Sequence, residues 1–305
     1  MIVVVLLSIA SSLFYGTSDF LGGLAARRLA VLPATLVNYL FGTMVIAVAL
    51  LFGGWSWSTD ATVAGLAAAL FAIVGFITFY AAMAIGPMSL LSPVVALIQA
   101  LVPVTAALVT GQGLSPLGWG AVALAVVATI LISQQHVDAA VRVTSPGAVL
   151  AVVSGIMLGA SVVALDASPG DSGLLPAFLE MAGGVVVLSA LIGILRLLRL
   201  EIPWFAAQSE QEDGPERASG VRQPHPSRRA AWLIAASAGV LLGAANAFLM
   251  SALHLGNLAV VSVLSSLYPL ATVLLAAIVL RERVSRIQVL GIALAILAAV
   301  LLSVS

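Results

Sequence analysis

The sequence predicts an all-α integral membrane protein of ten transmembrane helices, built as two inverted five-helix repeats. The first observation behind this is apolarity: 62% of the residues are hydrophobic and 8% charged, against about 45–50% and about 25% in soluble domains. The second is run length, because ten apolar segments approach the roughly 20 residues that a helix needs to cross the hydrocarbon. The third is self-similarity: the stretch from Gly111 to Ser133 lies without a gap on that from Arg281 to Ser303, a spacing of 170 residues. Apolar helices match by chance, so small and polar residues carry the duplication. At that spacing Gly86 falls on Gly256, Ser92 on Ser262 and Ser115 on Ser285. Nearer the start of each half the spacing shortens to 142 or 143, pairing Gly16 with Gly159, Ser18 with Ser161, Gly42 with Gly184 and Asn38 with Glu180.

Unpaired backbone groups are so costly in lipid that only helices or closed barrels cross it, and these runs exceed barrel strands of about 9–11 residues. Helix 1, over 2–24, follows Met1 directly, lacks a basic leader and is long enough to remain as a span. Helix 2 is expected over 33–53, closed by Gly53 and Gly54, and helix 3 over 61–85, between Asp60 and Gly86. Helix 4, over 88–110, contains Pro93 and Pro103. Helix 5, over 116–135, opens on Ser115 and Pro116, an N-cap followed by proline at the first helical position. Helix 6 is expected over 146–167 and helix 7 over 173–195, ended by Arg196. Helix 8, over 230–254, carries Gly239 and Gly243; these and Gly155 with Gly159 have the spacing that lets helix backbones approach closely. Helix 9, over 257–280, contains Pro269, which frees carbonyls and bends a helix. Helix 10, over 286–303, follows Ser285 with Gln288 three residues on, the spacing of a capping box. The repeats then occupy 1–135 and 146–303, the second interrupted by a polar segment at about 200–226 whose Gly, Pro, Ser, Gln and acidic residues are too polar to bury.

Every cationic residue other than histidine is arginine, and all twelve fall in or beside alternate connections. By the positive-inside rule those loops are cytoplasmic and both termini external, in the plasma membrane. There is no cysteine, hence no disulfide, thiol chemistry or cysteine metal site.

Leu267, Tyr268 and Pro269, an apolar stretch, then Arg281, Glu282, Arg283, Val284 and Ser285 before a Gly291-containing helix resemble the EamA repeat of the drug/metabolite transporter superfamily. Tyr15, Gly16, Thr17, Ser18, Asp19 and Phe20 look like that family's first helix. The resemblance covers essentially the whole chain except 200–226, and implies two five-helix repeats and the transport of metabolites, amino acids, sugars or drugs. It departs at Gln112, which stands in the first half where the second has Glu282. That favours a structural role for Glu282, as a helix-end cap or partner of Arg281 and Arg283.

Candidate path residues are polar groups at membrane depth. A charge at mid-bilayer costs at least about 2.5–3.5 kcal/mol on insertion scales and so calls for a partner or a function. Glu180, seven residues inside helix 7, is either a proton carrier or a neutral acid bonded to a neighbouring helix. Asp19 is either an interfacial partner of Arg27 or Arg28 or a cation or proton site shared with Tyr15, which lies four positions before it on the same helix face. Asn38, Tyr80, Gln99, Asn246, Ser265, Ser266 and Tyr268 complete a plausible cavity, and for each the alternative is an interhelical hydrogen bond worth about 0.6 kcal/mol. Gln99 aligns with Pro269, so the midpoints of helices 4 and 9 are expected to face each other across the pseudo-two-fold axis. His254 reads as an interfacial residue.

The expected function is a secondary transporter, an exporter of small metabolites or amino-acid-like solutes, working by alternating access with protons as the simplest coupling ion. The partners are then a small-molecule solute, protons and the lipid bilayer, with no nucleic acid and no cofactor; the oligomeric state is open. No GxxxxGK[ST] pattern is present, and no lysine exists to complete one, so ATP-driven transport by this chain alone is excluded. An intramembrane protease would need a serine–histidine pair or paired aspartates. His136 and His225 fall in loops and Asp19 with Asp166 lacks the usual context. The standing alternative is a non-transporting membrane subunit or a lipid-handling protein, which a bundle with every polar group paired and no cavity would favour.

Overall fold

A computed structural model describes residues 1–26, 29–85, 88–133, 145–198, 227–279 and 285–304. Glu282, the Arg27–Arg28 pair, Arg142 and the segment 200–226 lie outside the described residues, as does the side chain of Tyr80. The helices are α1 (Ile2–Ala26), α2 (Val31–Phe52), α3 (Thr59–Ile85), α4 (Met88–Val109), α5 (Pro116–Ser133), α6 (Ser145–Asp166), α7 (Leu175–Leu197), α8 (Arg228–Leu255), α9 (Leu258–Ser265), α10 (Pro269–Val279) and α11 (Arg286–Val304). Among the described residues, nine segments are long and apolar enough to cross a membrane, α9 and α10 counting together as one; α4 contributes a shorter apolar stretch, Val94–Val109.

Helix ends form where the local chemistry satisfies exposed backbone donors. At α11, Ser285 N–H donates to Gln288 Oε1 at 2.9 Å while Gln288 N–H donates to Ser285 Oγ at 3.2 Å, so the capping box is complete. Ser115 Oγ accepts from Gly118 N–H at 3.0 Å, and Ser227 and Asn257 cap α8 and α9 in the same way. A 3₁₀ turn at Gly170–Ser172, which periodicity did not reveal, precedes α7.

The ninth span is the main correction to the sequence reading: it is two helices, not one over 257–280. Ser266, Leu267 and Tyr268 form a turn between α9 and α10. Pro269 lacks the N–H that Ser265 carbonyl would receive, which ends α9. Proline alone does not suffice, since α4 runs continuously through Pro93 and Pro103. The turn is also received by α1, where a Cβ on Gly16 would fall on the Tyr268 carbonyl, and Thr272 Oγ1 donates to the Gly16 carbonyl at 3.2 Å.

The helix pairings repeat under exchange of the halves. α1 packs on α8 as α6 packs on α3; α2 packs on α8 as α7 packs on α3; α4 packs on α6 as α9 and α10 pack on α1. The pairs α2 with α7, α4 with α9 and α5 with α11 map onto themselves and mark the pseudo-two-fold axis. The symmetry reaches single bonds. Ser11 Oγ donates to the Ala245 carbonyl at 3.0 Å and Ser154 Oγ to the Gly75 carbonyl at 2.8 Å; Ser11 and Ser154 are 143 apart, Gly75 and Ala245 170 apart. The glycine seams are close contacts: a Cβ on Gly239 would stand 2.5 Å from the Asn38 carbonyl, and one on Gly243 2.5 Å from that of Gly42.

Candidate functional site

The matched serines mark the point where the two halves differ. Ser18 follows the pattern of Ser11, its Oγ donating to the Ala238 carbonyl of α8 at 2.9 Å. Its repeat mate Ser161 instead donates to Glu180 Oε1 of α7 at 3.2 Å. Glu180 is 6% exposed, and its Oε2 has no hydrogen-bond partner among the described residues. Such an orphaned buried oxygen is costly unless function requires it.

Around it the bundle collects side chains from both halves. Tyr15 Oη donates to Asn246 Oδ1 at 2.8 Å, and Asn246 Nδ2 turns to the Leu242 carbonyl at 3.1 Å and the Met181 sulfur at 3.9 Å. Glu180, Tyr39 and Asp19 all lie within electrostatic reach of Tyr15, and Asp19 within reach of Tyr268. Tyr15 and Asp19 are on the face of α1 opposite lipid-exposed Leu6 and Leu13. Although it faces inward, Asp19 is exposed, as is Gly23 one turn on, where a Cβ would meet nothing within 4 Å. This accessible surface lies toward the helix ends that carry Arg196, Arg228, Arg229 and Arg286.

The other expected site residues divide. Asn38 Oδ1 is buried without a partner among the described residues, and its Nδ2 stands 3.9 Å from where Gly22 would carry a Cβ, between α1 and α2. Gln99 is half-buried, with its carbonyl packed on Gly159, 3.0 Å from a Cβ placed there. Ser265 Oγ is buried and, among the described residues, unpartnered, as is Ser262 Oγ, whereas Ser266 Oγ donates to the Val263 carbonyl at 2.8 Å. Ser266 and Tyr268 sit in the turn and not in a helix.

Sequence reasoning did not single out the far end of the bundle, which is tied shut between the halves. Gln112, in the connection between α4 and α5, accepts from Leu258 N–H at 2.9 Å and donates to Asp166 Oδ2 at 3.3 Å, joining the start of α9 to the end of α6. Beside it, Ser168 Oγ lies 3.3 Å from His254 Nε2, and Ser56 donates to Asp171 through both its hydroxyl, at 2.6 Å, and its N–H, at 2.9 Å. The mismatch of Gln112 with Glu282 was the available signal: a polar residue kept at a loop where the halves otherwise repeat.

Among the described residues, no three His, Cys, Asp or Glu side chains group so as to hold a metal. A shallow apolar crevice, lined by Leu32, Thr35, Tyr39, Ile73, Phe76, Ile77 and Leu188, opens between α2, α3 and α7. Its lining carries no acid, in contrast to the surroundings of Glu180.

The model of the EamA-like transporter family matches residues 2–134 and 218–304, more than half of the chain. The chain belongs to the EamA-like transporter family. This multi-pass membrane protein therefore has the two five-helix repeats of that family and is a transporter of the drug/metabolite type. A solved crystal structure of a protein is similar in fold, with a TM-score of 0.71 and 18% identity over 98% of this chain and 98% of that one. No curated protein matches the chain.

Proposed function

We propose that this EamA-like chain is a proton-linked secondary exporter of a small solute, with Glu180 as the proton-carrying group. The observation that carries the reading is the unpartnered Glu180 Oε2, buried where repeat symmetry fails. A carboxyl held between two related halves meets different surroundings as they rock, and coupling that motion to protons needs a group that can bind and release one. Tyr15, Asn246, Ser161 and Met181 surround it, with Asp19 and Tyr39 within electrostatic reach of Tyr15. With the arginine-bearing ends on the cytoplasmic side, the arrangement is one open to the cytoplasm at Asp19 and shut outside by the Gln112 tie. Protons returning down their gradient then drive the solute outward. The unpartnered Asn38 Oδ1, Ser262 Oγ and Ser265 Oγ argue against a static subunit in which every polar group is paired.

The test follows solute efflux from proteoliposomes under an imposed pH gradient, comparing the wild type with Glu180→Gln, which keeps the side-chain length and an acceptor for Ser161. Efflux in the variant is expected to continue downhill but to lose its dependence on the pH gradient. Unchanged pH dependence in a folded variant overturns the assignment.

A further inference from the structure

Among the described residues, the membrane interior of this chain carries acids and no counter-charge. Asp19 opens inward beside Tyr15 and Tyr268, and Glu180 lies deeper with a free oxygen. There is no lysine, and every described arginine stands at a helix end, at Arg196, Arg228, Arg229 and Arg286. His254 is held at the far end beside Ser168.

An acidic solute would therefore have no cation to pair with and would rely on neutral donors, and the break in the ninth span is where a transporter could offer backbone ones at a half-helix N-terminus. Here that terminus is spent. Leu270 N–H bonds the Leu267 carbonyl at 2.9 Å, Ala271 and Thr272 N–H bond the Tyr268 carbonyl at 3.1 and 3.3 Å, and Pro269 has no N–H. The same break presents an acceptor in the Ser265 carbonyl, which has lost the N–H that a continuous helix would give it, and beside it the neutral Ser262 and Ser265 hydroxyls, buried without partners among the described residues, can accept or donate.

Resting on the transporter reading above, we infer that the solute is an organic amine bound as its ammonium ion and bearing no carboxylate or phosphate, seated on Asp19 between Tyr15 and Tyr268. The carboxylate supplies a charge-assisted bond, the tyrosine faces can take a cation, and a zwitterionic amino acid would leave its own carboxylate among acids, with neutral hydroxyls and no cationic group beside it among the described residues.

Two matched sets of probes separate the charges on one carbon skeleton: tyramine, tyrosine and 3-(4-hydroxyphenyl)propanoate, and 3-methylbutylamine, leucine and 4-methylpentanoate. Each is offered in proteoliposome efflux and, by calorimetry, to the purified full chain. At least one amine is expected to bind about tenfold or more tightly than its amino acid, by the energy of one charge-assisted contact, and to lose that advantage in Asp19→Asn. Asp19→Glu, which keeps the charge, is expected to retain part of it and so covers a misfolded Asn variant. Efflux of tyrosine or leucine in preference to the amines overturns the inference and leaves the carrier standing. An amine preference that survives Asp19→Asn overturns the assignment to Asp19. If no probe moves faster than in empty liposomes with folded protein, the carrier reading itself fails and the inference fails with it.

Discussion

Gly16 and Gly159 are repeat mates that solve one problem twice. Each lets its helix settle on backbone of the fourth or ninth span: Gly16 under the Tyr268 carbonyl, Gly159 under that of Gln99. Gly16→Ala is expected to lower the melting temperature of the detergent-purified protein substantially, because its Cβ would meet a carbonyl that cannot move without shifting α10. Gly23→Ala, with nothing within 4 Å of the added carbon, is the control and is expected to be neutral or slightly stabilising, given the roughly 1 kcal/mol by which alanine favours helix over glycine. The sequence revealed these glycines through their pairing, and it singled out Glu180 and Asp19 because charge in an apolar run is conspicuous. It could not reveal that Ser161 would leave the pattern of Ser18 and turn to Glu180, since both serines read alike until the bundle brings Glu180 of α7 within reach of α6.

The ninth span shows what periodicity alone misses at the level of an element. Its hydropathy is continuous and Pro269 signals a bend, but a break needs a neighbour that receives the freed turn, and that neighbour is α1, distant in sequence. The termini were easier to read, because caps act within four residues and leave local signatures, as at Ser115 and Ser285. Pro269→Ala returns a donor to the Ser265 carbonyl and removes the ring clash. It is expected to favour a continuous helix, to raise thermal stability by an amount comparable to part of the about 3 kcal/mol helix penalty of proline, and to slow solute flux. Ser285→Ala removes one half of the α11 box and is expected to cost about 1 kcal/mol, measured by denaturant or heat in detergent, without altering flux.

At the scale of the whole molecule, the far end is tied between the repeats by Ser56 with Asp171 and by Gln112, a single side chain bonded to two helices of the other repeat. Gln112→Leu removes both bonds at similar volume and is expected to open that end more often. Because the chain has no cysteine, one thiol introduced as Ser262→Cys reports the change: a membrane-impermeant maleimide added from the side of the termini should label it faster in the Gln112→Leu background than alone. Equal labelling rates would show that other contacts hold the end closed. The same architecture bears on how the protein is made. Its most extensive helix pairings, α3 with α6, α1 with α8, α5 with α11 and α2 with α8, all join one half to the other. The first five helices therefore enter the bilayer with their glycine seams and serine donors uncovered, and they stay so until α6 and α8 emerge from the ribosome. The nascent first half is a partner in waiting, open to pairing with another copy of itself, and correct assembly depends on how promptly the second half follows it into the membrane.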